Sequence, residues 1–118
     1  MTDIPRAPAI RGTTMRWAWT EGPTKGRVHE HTFHSDGTVE WRDADAAPSS
    51  GDARALVPPE RPPYAAFEVT ADVYVVSYLA PSGFTLTVVL DFATHRLVGF
   101  ASGKEQWHPL RGTFEVVR

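Results

Sequence analysis

Three of the five histidines lie in one short stretch, residues 28–42, which reads VHEHTFHSDGTVEWR. His29 and His31 are two residues apart, so on a strand both imidazoles project to the same side. Histidine titrates near neutrality, which makes the pair candidates for general acid and base work. A same-side pair could also ligate a metal if a neighbouring strand supplied a third donor. Glu30 and His34 alternate to the other face, and no glutamate stands at the cupin-type spacing. A metal-dependent enzyme is therefore a further alternative, and no metal or cofactor is assigned. Arg42 closes the stretch. Trp41 already holds the inward slot, so Arg42 turns inward only at a bulge, where it could clamp a carboxylate bidentately. Without a bulge it is an exposed arginine at a strand end.

The histidines need walls, and the pattern around them supplies strands. Residues 14–20 (TMRWAWT) alternate Met15, Trp17 and Trp19 against polar or small residues, a period of two with one aromatic face. On residues 27–34 one face carries Arg27, His29, His31 and Phe33. Ser35-Asp36-Gly37 supplies a tight turn whose residues tolerate positive φ. The return strand puts Val39 and Trp41 on one face. Residues 44–63 break the pattern with half of the ten prolines, and no ladder can run through that composition. They form a Pro/Ala-rich loop after the third strand, a surface excursion or a lid over a cavity mouth.

Beyond it the chain reads as a meander: strands over 64–70, 73–79, 84–91 and 95–101, with short turns between. Residues 103–109 form a bend in which Trp107 and His108 could close one end, and 110–117 is a closing strand. No amphipathic helix of useful length is seen. On the strand 73–79, Tyr74 and Tyr78 alternate with Val73, Val75, Ser77 and Leu79, and the pattern leaves open which set faces inward.

About eight short sequential strands close most naturally into an up-and-down antiparallel barrel, since closure removes exposed edges. The expectation is an all-β chain with an N-terminal arm over residues 1–12 and one barrel domain over 13–118. A two-sheet sandwich is the rival. The 118 residues fit one core, and 42% apolar with 22% charged residues is ordinary for a globular chain. A net charge of −2 and scattered basic residues give no reason to expect nucleic acid or an anionic membrane. The absence of cysteine excludes thiolate nucleophiles and cysteine-ligated metal sites. Residues 1–12 lack the apolar core of a signal peptide, and no apolar run reaches membrane-spanning length, so the expected location is cytoplasmic.

The runs GTTMRWAWTEG, TVEWR and VYVVSYLAPSGFTLTVVLDFATHRLVGF resemble MoaF-type proteins and phenolic acid decarboxylases, which are lipocalin-like (calycin) barrels. The resemblance covers about residues 12–107 and implies a calycin barrel around a small-molecule cavity. In the decarboxylases two strand tyrosines hold the substrate carboxylate, and their positions fall on Trp17 and Trp19. An arginine after the hairpin matches Arg42. The catalytic glutamate has no counterpart, Glu60 and Glu68 being offset, so the resemblance implies the cavity more than the reaction.

An aromatic box with two imidazoles suits a flat conjugated ligand carrying one or two polar groups. The expected function is binding of a small aromatic molecule, with a carboxylate as one form of it, and a lyase-like acid/base step on it. Trp17, Trp19, Phe33, Trp41, Tyr64 and Tyr78 are its expected lining, and His29, His31 and Arg42 its expected catalytic groups. A non-catalytic carrier or sensor is the alternative, and a homodimer is an expected assembly.

Overall fold

The alternating runs form eight strands: β1 (Thr13–Glu21), β2 (Val28–Phe33), β3 (Val39–Asp43), β4 (Tyr64–Thr70), β5 (Val73–Leu79), β6 (Thr85–Asp91), β7 (Arg96–Gly103) and β8 (Gln106–Val117). The structure, a computed structural model, describes residues 4–44 and 61–117. The lid reading of the Pro/Ala-rich loop therefore lies almost wholly outside the described residues. No described helix is long and apolar enough to cross a membrane.

All strands join one antiparallel sheet in the order β3-β2-β1-β8-β7-β6-β5-β4. Sequence neighbours pair throughout except β3 with β4, and β1 pairs with β8, so first and last strands meet and the sheet curls into a half-barrel. The bend-forming reading of residues 103–109 is corrected here. β8 starts at Gln106, and Trp107 pairs with Ser102 on β7, so Trp107 and His108 are strand residues. Pro109 fits because it lies outside the stretch of β8 that pairs with β1, where its missing N–H breaks no ladder on that side.

The seam between β3 and β4 is closed by other means. An isolated bridge joins Thr38 to Pro63, and Val39 N–H donates to Pro62 O at 2.9 Å. On the β4 side, Ala66 exchanges backbone hydrogen bonds with Pro5 and Ala7 at 2.9 and 3.0 Å. The N-terminal arm thus bridges to β4 here through residues 5–7. Arg6 Nε donates to Gly37 O at 3.2 Å, its guanidinium sits 5.5 Å from the Tyr64 ring centroid, and Ile10 is fully buried. Arg61 adds a polar lock, donating to Glu40 at 2.9 Å beside His34.

The core lies on the concave face, where Met15, Trp17, Phe33, Tyr64, Val76, Val88, Leu90 and Leu97 are buried. On β5 the inward set is Tyr74, Val76 and Tyr78. The hairpin turn forms as its residues demand. Gly37 takes φ 91°, and Asp36 Oδ1 accepts from Thr38 N–H at 2.9 Å.

Candidate functional site

Strand register explains which rings meet. Trp17 lies opposite His29 and Met15 opposite His31 on the β1–β2 ladder, while His31 lies opposite Trp41 across β2–β3. Their side chains share the concave face, where diagonal neighbours come within reach of large rings. Trp17 stacks on His31 with centroids 3.8 Å apart and planes 20° apart. Phe33 follows at 6.1 Å from His31, and Tyr64 packs edge-on against Phe33 at 5.0 Å. The opposite wall contributes Tyr78, whose hydroxyl lies 3.0 Å from His31 Nε2.

The two histidines differ in chemistry. Trp19 Nε1–H donates to His29 Nδ1 at 2.8 Å, so a neutral His29 carries its proton on Nε2. Burial lowers the His29 pKa below the usual value; Asp43 opposes this and Arg27 adds to it. His31 is buried and pushed down to about 3, first by burial and then by His29, with the His29 backbone partly offsetting. It is a neutral ring at physiological pH.

The Tyr78 phenol is pushed well above its ordinary value by burial and keeps its proton. Its O–H donates to His31 Nε2, because the reverse arrangement would strand the hydroxyl hydrogen in an apolar interior. His31 therefore carries its own proton on Nδ1. The Trp17 indole N–H is buried without a hydrogen-bond partner, and the His31 Nδ1–H has only a weak approach to the His29 backbone, outside good hydrogen-bond geometry.

Seven of the nine expected site residues, Trp17, Trp19, His29, His31, Phe33, Tyr64 and Tyr78, come together as buried groups. Trp41 belongs to the same face, 4.7 Å from His29, but is 40% exposed because β3 is an edge strand. Arg42 is placed elsewhere. The β2–β3 register runs without a bulge, and Arg42 lies on the outer face, donating to Glu30 Oε1 at 2.8 Å. Among the described residues no group of three His, Cys, Asp or Glu side chains could hold a metal ion. Reading the sequence missed the seam residues Arg6, Glu40 and Arg61. They are joined across 31 and 21 positions of chain, and nothing in the local pattern links them.

No curated protein matches the sequence. Of the solved structures, one that matches is the "Crystal Structure of a putative beta-lactamase from Burkholderia vietnamiensis". It has 20% identity and a TM-score of 0.68, covering 95% of this chain and 99% of that one. At that identity the likeness shows the fold alone. The MoaF N-terminal domain model matches residues 3–106, which takes in β1 to β7, the paired histidines and both strand tryptophans. A match over that share of the sequence settles the family: the chain belongs to the MoaF N-terminal domain family.

Proposed function

We propose that this chain binds a small, flat, conjugated molecule through a hydrogen-bond acceptor, on the concave face around Trp17, His29, His31 and Trp41. The observation that carries this reading is the buried, unpartnered Trp17 indole N–H, stacked on a buried His31 ring whose own N–H is only weakly met. A buried donor left unmet costs about 1–3 kcal/mol. A ligand carbonyl or carboxylate oxygen would relieve that cost, while its conjugated body lies against the aromatic lining. Trp41, half-exposed beside His29, offers a side of approach. The resemblance to calycin barrels points the same way.

Holding is favoured over proton transfer, because His31 is neutral and a weak base at the value burial gives it. The neighbour's beta-lactamase designation does not carry over. The S-x-x-K pattern of serine beta-lactamases is absent from the sequence, and the described residues form no metal cluster.

Titration of tryptophan fluorescence with hydroxycinnamates and other conjugated acids or carbonyls tests the proposal. Saturable quenching by at least one compound is expected, and Trp17→Phe should weaken it about tenfold, the worth of one hydrogen bond. Arg42→Ala should leave it unchanged, because Arg42 points away from the lining. Failure of every compound to quench a folded sample sinks the reading. Product detected by mass spectrometry in the wild type, and abolished in His29→Ala/His31→Ala, would put a lyase-like step in place of simple holding.

A further inference from the structure

The outer surface of the half-barrel has two different characters. Over β1–β3 it is ionic: Arg16 and Arg42 both bond Glu30, at 3.2 and 2.8 Å. Over β4–β7 and the start of β8 it carries an apolar patch set among serines and threonines. Phe67, Val75, Val89 and Val98 stand in one register row across four adjacent strands. Phe100 follows Val98 on β7, and Trp107 packs edge-on against it at 5.6 Å. Phe67, Phe100 and Trp107 are 56%, 50% and 62% exposed.

We propose that this outer face of β4–β8 is the contact surface of a two-fold homodimer, with Phe100 and Trp107 near its centre. Its layout is that of an interface. The charged groups Asp91, Arg96, Lys104, Glu105, Arg111 and Glu115 stand around its margin, and no charge lies among the six apolar residues. A charge-free centre inside a polar rim is the anatomy of a protein contact.

Rim and area select the partner. The margin mixes acids and bases, with Arg111 already paired to Glu21 at 3.2 Å, a two-signed rim suited to a copy of itself turned by a two-fold axis. A strongly acidic or basic partner would find no complement there. At about 200 Å² per aromatic side chain, the three aromatics expose roughly 300 Å². With the valines the apolar area approaches roughly 450 Å², about the non-polar half of the ~800 Å² that each partner gives to a standard interface.

The experiment is sedimentation velocity of the full chain from micromolar to near-millimolar concentration, with the double variant Phe100→Lys/Trp107→Lys beside it. The expected species is a pair of 13.0 kDa chains. The double variant should dissociate at least about 100-fold more readily, as loss of two central aromatic anchors predicts. Near-UV circular dichroism establishes that it is folded. A wild type that stays monomeric at every concentration overturns the proposal, even if it captures some other protein. So does a folded double variant that still dimerises. Should the double variant fail to fold, Val98→Glu and iodide quenching decide. Val98→Glu that still dimerises, or Trp107 emission quenched equally at high and low concentration, also overturns it.

Discussion

His31 shows how one buried side chain can tie stability to pH. Its ring is packed against Trp17 and bonded to Tyr78, and burial brings its pKa to about 3, against 6.5 in an unfolded chain. As pH falls below 6.5 the unfolded chain takes up a proton that the native chain refuses. The stabilisation that His31 gives is therefore complete above that value and drains away toward pH 3. The slope approaches about 1.4 kcal/mol per pH unit, so roughly 2 kcal/mol is lost between pH 7 and pH 5. Urea unfolding at both pH values should show this loss in the wild type. His31→Gln, though less stable at pH 7, should lose about 2 kcal/mol less over the interval. Parallel losses in the two proteins would show that His31 is protonated in the native state. The same neutrality suits the proposed function, since an uncharged N–H can meet a ligand oxygen without a counter-ion.

At the scale of elements, the curl of the sheet depends on close backbone approach at particular points. Gly99 in β7 is one: a Cβ there would lie 2.0 Å from Thr87 O and 2.7 Å from Val88 Cα. Both are backbone atoms of the paired strand and cannot swing aside. Gly99→Ala should therefore cost about 1–3 kcal/mol by overpacking. Ala101→Ser, a change of similar size two residues along the same strand, should cost less. Thermal melts of the two variants check this, and equal midpoints would mean that the ladder yields more easily than its spacing suggests. Strand placement was legible because a period of two survives wherever one face is buried and the other is not. On β5 the placement held but the inward face stayed open, because both faces carry apolar residues: Tyr74, Val76 and Tyr78 point in, while Val75 and Leu79 point out. The contact of the N-terminal arm with β4 left no trace in the pattern, because the pairing of Pro5 and Ala7 with Ala66 is made of backbone atoms. The site was legible as a histidine–aromatic hairpin. The outward turn of Arg42 and the partial exposure of Trp41 follow from the edge position of β3, which only the assembled sheet reveals.

The whole molecule is a sheet whose first and last strands pair, drawn into a body with a radius of gyration of 13.7 Å. The hairpins among β4 to β8 join residues close in sequence, whereas the β1–β8 ladder sets Thr14 against Val117 and Trp17 against Phe114. Bringing such distant residues together costs loop-closure entropy before any contact repays it. The meander should therefore form first and the β1–β8 ladder late. Phe114 is buried on β8 and packs edge-on against Phe92 at 5.0 Å; Val88 is fully buried in the middle of the meander. If closure is late, Phe114→Leu acts after the transition state, raising the unfolding rate and leaving folding nearly unchanged. Val88→Ala should instead slow folding by most of its stability loss, roughly 1–3 kcal/mol for removing buried methyl groups. Stopped-flow refolding and unfolding in urea, followed by tryptophan emission, separates the two. A Phe114→Leu variant that slows folding as much as Val88→Ala would place closure within the nucleus and invert the order.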